Sequence, residues 1–158
     1  MKTDHDSGPI PHIPGARILV VAARYYPDVV DTMTTQAMAM LAEAGATGVV
    51  LEAAGAFEIP GFIAMAARAG SYDGYIALGC VVRGETSHYD YVCGESARGL
   101  MDLAVRDTLA IGYGILTVET IAQAEARANP MGANKGAEAA RACLMMVQAR
   151  RRFVLGQS

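Results

Sequence analysis

With 158 residues, 53% of them apolar, the chain is long enough for one domain with a full hydrophobic core, and disorder is excluded as its general state. A formal charge of −3 without a long basic stripe gives no electrostatic footprint for nucleic acid, and no apolar run approaches the length that crosses a membrane. Partners are therefore expected among small molecules and copies of the chain itself, and the alanine-heavy, Trp-free composition, suited to close helix packing and broad subunit interfaces, predicts an oligomer.

Residues 1–15 carry Lys2, Asp4, His5, Asp6 and three prolines but no continuous apolar core, so no secretory signal is expected there. They are expected to form a flexible arm before a domain of residues 16–158. Ile10 and Ile13, alternating with Pro11 and Pro14, leave two readings open: an edge strand added to a neighbour, or a disordered terminus. Cys80, Cys93 and Cys143 are odd in number and lack C-x-x-C spacing, so neither a disulfide framework nor a zinc knuckle is indicated, and a reducing cytoplasm fits best.

The β-branched run Arg17–Ala23 predicts a first strand, and Pro27 suits the first turn of a helix. Val30, Met33, Ala37, Met40 and Ala44 recur at three- and four-residue steps, with Gly45 as the stop. Val49–Ala53 predicts a second strand, and Gly55-Ala56-Phe57-Glu58-Ile59-Pro60 leads into a helix running to about Ala69. The apolar run Tyr75–Val82 reads as a strand buried on both faces. After a short glycine-containing turn, a helix begins near Ser87 or His88, with Cys93, Ala97, Leu100 and Ala104 on one face, and breaks near Thr108. Ile111–Val118 predicts a fourth strand in which two glycines bracket Tyr113. A helix over about Thr120–Ala128 is stopped by Asn129-Pro130. The last helix buries Ala137, Ala140, Leu144 and Val147 and ends in Arg150-Arg151-Arg152, either a polyanion patch or a solvated helix end.

Strands alternating with helices predict a three-layer α/β/α domain with a four-stranded parallel sheet. Ligands of such sheets bind beyond the carboxyl ends of the strands. Here those ends carry Arg24-Tyr25, Ala56-Phe57-Glu58 and Gly84-Glu85-Thr86 with His88, so the three clusters should meet at one edge. The turn before His88 aims helix-start N–H groups at that edge, a ready anion site. An imidazole in that first turn could move protons near neutral pH, or merely cap the helix.

Taken together, Gly55-Ala56-Phe57-Glu58-Ile59-Pro60, Leu78-Gly79-Cys80-Val81-Val82-Arg83-Gly84 with Thr86, His88-Tyr89-Asp90-Tyr91-Val92, Gly114-Ile115-Leu116-Thr117-Val118-Glu119 and Asn134-Lys135-Gly136 resemble the lumazine synthase family. The resemblance implies a flavodoxin-like fold. It also implies condensation of 5-amino-6-(D-ribitylamino)uracil with 3,4-dihydroxy-2-butanone 4-phosphate to 6,7-dimethyl-8-ribityllumazine, with no metal or organic cofactor. It places Tyr25 on the pyrimidine ring, Ala56, Phe57 and Glu58 along the pyrimidine substrate and its ribityl hydroxyls, and the backbone of Cys80, Val81 and Val82 on the uracil edge. Glu85 and Thr86 fall at the phosphate of the butanone with Arg127, and Lys135 on the same side. His88 falls at the proton-transfer position. The residues at the Tyr113 and Arg127 positions come, in the family, from the adjacent subunit of a five-membered ring. Three departures stand out: Glu85 replaces a small residue, Tyr113 a Phe and Tyr26 an Asn. A lumazine- or flavin-binding shell protein and a flavodoxin-like electron carrier are the competing readings. Arg127 and His88 favour the enzyme, since ring binding alone needs neither a phosphate clamp nor a proton carrier.

Overall fold

The structure, a computed structural model, describes residues 8–154. Four parallel strands, β1 (Arg17–Ala23), β2 (Thr47–Ala53), β3 (Gly74–Val82) and β4 (Ile111–Val118), lie in the order β2-β1-β3-β4. Helices α1 (Pro27–Glu43), α4 (Ile121–Ala128) and α5 (Lys135–Val154) cover one face, and a 3-10 turn (Ala56–Glu58) with α2 (Ile59–Ala69) and α3 (His88–Arg106) covers the other. This is the expected three-layer, flavodoxin-like arrangement. Period-2 alternation sorts the central strands: Ile18, Val20, Ile76 and Leu78 enter the α1/α4/α5 layer, while Leu19, Val21, Tyr75 and Ala77 enter the α2/α3 layer.

Most predicted boundaries hold within two residues. Gly45 (φ 78°) and Gly70 (φ 72°) end α1 and α2 in the left-handed conformation that only glycine adopts without strain. The glycines beside Tyr113 have a packing reason: a Cβ on Gly112 would overlap the Ala139 carbonyl oxygen, so α5 rides directly on β4 there.

Three expectations need correction. The α3 stripe runs through Val92, Ser96 and Leu100, while Cys93, Ala97 and Ala104 are only half-buried. A polar residue occupies the centre of that stripe because the Ser96 hydroxyl donates to the Cys93 carbonyl within the helix at 3.2 Å. On α5 the buried line is Ala139, Ala140, Cys143, Leu144 and Val147, with Ala137 half-buried. Of the segment expected as an arm, residues 1–7 lie outside the described residues, whereas residues 8–15 are fastened to the body. Ile13 is buried and its N–H donates to Ala44 O at 2.8 Å, and Arg141 Nη1 donates to the carbonyls of Gly8 and Pro9. At the other end of the chain Arg151 reaches Asp73 at 3.9 Å, tying the end of α5 to the start of β3. No helix among the described residues is long and apolar enough to cross a membrane.

Candidate active site

Beyond the carboxyl ends of β1, β2 and β3 the chain forms a cavity of about 650 Å³. The three predicted clusters meet there. Tyr25 and Tyr26 come from the β1–α1 loop, and Ala56, Phe57 and Glu58 from the turn after β2. The last residues of β3, Cys80, Val81 and Val82, form the floor, and Thr86 and His88 stand on the rim at the start of α3. The convergence follows from topology, since parallel strands present all their following loops on one side of the sheet.

Helix starts around this cavity share a trait. Tyr26 before α1, Gly55 before the 3-10 turn, Glu58 before α2 and Ser87 before α3 provide no side-chain cap. The start of α4, which does not line the cavity, is capped by Thr120, whose oxygen accepts from Gln123 N–H at 3.3 Å. The wall therefore presents positive dipole ends, with no N-cap side chain bonded across them, to an anionic or oxygen-rich ligand. At α3 the nearest substitute is Thr86 Oγ1, which accepts a long hydrogen bond of 3.4 Å from His88 N–H.

The wall is aromatic and open on one side. Tyr25 is 75% and Phe57 55% exposed, far more than a large ring shows when its burial is complete. Tyr25 meets Tyr26 edge-to-face at 5.1 Å between ring centres. Burial, followed by the neighbouring Tyr25, raises the Tyr26 phenol above its ordinary value, so its hydroxyl stays protonated and able to donate. Burial also pushes the Cys80 thiol up to about 11, consistent with an inert filler rather than a nucleophile. Among the described residues no group of three His, Cys, Asp or Glu is gathered that could hold a metal ion.

Four residues assigned to the site by resemblance do not line the cavity: Glu85, Tyr113, Arg127 and Lys135. Glu85 lies in the exposed turn between Gly84 and Thr86. Tyr113 stands on the edge strand β4, 47% exposed, on the α3 side near Tyr89 and Cys93, and burial raises its phenol. Arg127 lies in the last turn of α4, its Nη1 donating to Gln123 O at 3.1 Å. Lys135 opens α5 and pairs with Glu138 at 2.5 Å.

Residues without an assigned role do line the cavity, namely Tyr26, Tyr89, Tyr91 and Val92. For two of them the signal is the spacing of Tyr89 and Tyr91, a pair of aromatic residues just inside a helix start. Arg83, outside the cavity lining, owes its place to the pairing of Val82 with Val118, which nothing in one dimension shows. That register sets Arg83 beside Glu119, with Nε 2.9 Å from Oε2.

Most of the chain matches one set of relatives. The family described as 6,7-dimethyl-8-ribityllumazine synthase matches residues 15–151. A 6,7-dimethyl-8-ribityllumazine synthase of Methylobacterium radiotolerans is 51% identical over 152 residues, covering 94% of this chain and 93% of the relative. The protein named 6,7-dimethyl-8-ribityllumazine synthase 1 of Rhodopseudomonas palustris is 51% identical over 146 residues, 89% of this chain and 90% of its own. A third, from Novosphingobium aromaticivorans, is 50% identical over 87% of this chain and 99% of its own length. With an uncapped, aromatic-walled cavity at the strand ends and identity of this extent, the chain belongs to the 6,7-dimethyl-8-ribityllumazine synthase family.

Proposed function

We propose that this chain condenses 5-amino-6-(D-ribitylamino)uracil with 3,4-dihydroxy-2-butanone 4-phosphate, releasing 6,7-dimethyl-8-ribityllumazine, phosphate and water, the penultimate step of riboflavin biosynthesis. The observation that carries this reading is the meeting of Tyr25, Phe57, Glu58 and Thr86 with His88 in one cavity, each at a position the family resemblance assigned.

Tyr25 stacks on the pyrimidine ring, and the backbone at Cys80, Val81 and Val82 reads its edge. Glu58 accepts hydrogen bonds from ribityl hydroxyls beside Ala56 and Phe57. The N–H groups of Glu85 and Thr86 receive the phosphate, with the Glu85 carboxylate turned away because like charges repel. The primary amine adds to the ketone and loses water as an imine. Removal of a proton from the adjacent hydroxyl-bearing carbon gives an enamine that expels phosphate from the terminal carbon. The resulting enol becomes a ketone, and the ribitylamino nitrogen adds to it and loses a second water. His88 carries the protons of these steps, and since no step changes net oxidation state, the sequence asks for no redox cofactor. Both substrates are already reactive, so holding them together supplies much of the rate gain.

Tyr113 and Arg127 complete this site from the adjacent subunit of a pentamer in the cytoplasm, and Lys135 adds charge on the phosphate side. Support for the shared site comes from the absence of Tyr113 and Arg127 from the cavity of one chain, the open aromatic wall, and the exposed apolar residues Met65, Met101 and Val105 on α2 and α3. Purified protein mixed with both substrates should produce lumazine fluorescence and phosphate in equal amounts, well above the spontaneous rate. Products appearing no faster than in the protein-free mixture overturn the assignment.

A further inference from the structure

We propose that Arg83 and Arg24 are positioning residues, two matched clamps that each hold one loop wall of the cavity. The pattern is the same twice. Each arginine is the first residue past a strand, Arg24 after β1 and Arg83 after β3. Each guanidinium reaches an aspartate seven residues on, in the helix that follows. Arg24 Nε and Nη2 donate to the two Asp31 oxygens at 2.7 and 2.8 Å, and Arg83 Nη1 donates to Asp90 Oδ1 at 3.3 Å. Each also reaches a glutamate at the end of the neighbouring strand, Arg24 to Glu52 at 4.0 Å and Arg83 to Glu119 at 2.9 Å. Arg83 additionally lies 4.2 Å from the centre of the Tyr89 ring.

What lies between each arginine and its aspartate is cavity wall: Tyr25 and Tyr26 in one arch, Gly84, Thr86 and His88 in the other. Every residue of the second arch from Arg83 to His88 is exposed, and the helix behind it has no side-chain cap. Its position is therefore set from outside. The Arg83 N–H continues the sheet by donating to Val118 O at 2.9 Å, and its planar fork joins the end of β4 to the first turn of α3. Neither arginine lines the cavity, and each faces two carboxylates, so neither has charge to spare for a ligand. Exposed ion pairs contribute little to stability, but a plane with several fixed partners defines geometry.

The kinetic part rests on the proposed reaction, with the phosphorylated ketone on the Thr86 side and the pyrimidine on the Tyr25 side. Arg83→Gln, Arg24→Gln, Arg83→Lys and Glu119→Gln are compared with the parent as intact assemblies. Substrate-free amide exchange should accelerate over residues 84–90 in Arg83→Gln and Glu119→Gln, and over residues 24–28 in Arg24→Gln, with melting temperatures close to the parent's. Arg83→Gln and Glu119→Gln should lower kcat/KM for the phosphorylated ketone about ten- to a hundredfold, the scale of an ångström misplacement. The pyrimidine KM should move little, and Arg24→Gln should give the opposite split. Arg83→Lys, which keeps the charge but loses the fork, should behave like Arg83→Gln; full recovery by lysine overturns the clamp. So does unchanged exchange in the 84–90 segment, or an equal effect of both arginine variants on both substrates. If Arg83→Gln does not assemble, Glu119→Gln carries the same test with the arginine in place. An inactive parent would refute the reaction, while the exchange data would still decide the clamps.

Discussion

The backbone of Gly136 lies directly against that of Met33, so closely that a Cβ on Gly136 would overlap the Met33 carbonyl oxygen. The first turn of α5 thus docks on the middle of α1, and only a hydrogen fits between them. Gly136→Ala should destabilise the protein by about 1–3 kcal/mol, toward the upper end because the obstacle is backbone and cannot rotate away. Thermal melts of parent and variant decide it. An unchanged midpoint would mean that the two helices can part at no cost.

No local pattern in the sequence encodes that contact. Asn134-Lys135-Gly136 is legible as a motif, but its packing role comes from the crossing of two helices far apart in the chain. The strands and the convergence of Tyr25, Phe57, Glu58 and His88 are legible because each depends on local patterning plus one topological rule. On the α3 stripe Leu100 is buried as expected, but Val92 and Ser96 stand in place of Cys93 and Ala97, because Ser96 satisfies its hydroxyl locally, which hydropathy does not record. Tyr113 and Arg127 stand outside the cavity lining of one chain, and no spacing along the chain encodes that.

Alkaline pH should loosen the fold through its buried thiols. Burial pushes Cys143 up to about 12 and Cys80 up to about 11, against an ordinary value of 9.0. Below pH 9 both folded and unfolded chains keep these protons, so the stabilising contribution is complete. Above it the unfolded chain releases protons that the folded chain still holds, and stability falls with rising pH until the folded values are passed. Melting temperature should therefore be flat from about pH 7 to 8.5 and decline from about pH 9 to 11. Cys143→Ser, which keeps a donor toward Ala110 O, should reduce that slope whatever it does to the absolute midpoint. An undiminished slope would assign the decline to other groups, such as the buried phenol of Tyr75, whose value burial also raises.

His88→Ala should lower kcat by about one to two orders of magnitude, at or below the lower range for proton transfer by a side chain, because the condensation also proceeds unaided. Both substrates should still bind, since the Thr86 turn and the Tyr25 wall remain. Steady-state kinetics from pH 6 to 8 test this, and a variant with the parent's kcat throughout that range would show that His88 carries no proton in the slow step.

Arg127→Ala should act chiefly on the KM of the phosphorylated ketone. A charge-assisted hydrogen bond is worth about 1.5–3 kcal/mol, a rise of roughly ten- to a hundredfold in KM. The pyrimidine KM should change less. The reverse pattern would remove Arg127 from the phosphate side.

Two halves of the proposed site lie on different parts of the chain, and that separation makes sharing between subunits testable. Tyr25, Phe57 and His88 line the cavity, whereas Tyr113 and Arg127 belong to β4 and α4 and do not. Tyr113 stands on the outer edge of the sheet with its ring 47% exposed, and in the proposed reading it covers a neighbour's opening. If so, a Tyr25→Ala/His88→Ala subunit is defective only in its own cavity and still lends an intact Arg127. An Arg127→Ala subunit keeps a sound cavity but lends nothing. Each assembly alone should be nearly inactive. Co-assembled from unfolded mixtures, some interfaces would join the sound cavity of one type to the intact Arg127 of the other, and part of the activity should return in proportion to the number of such interfaces. Activity that stays at the level of the separate variants, in assemblies shown by mass to be mixed, would mean that each subunit builds its site from its own chain, and Arg127 would have to act elsewhere.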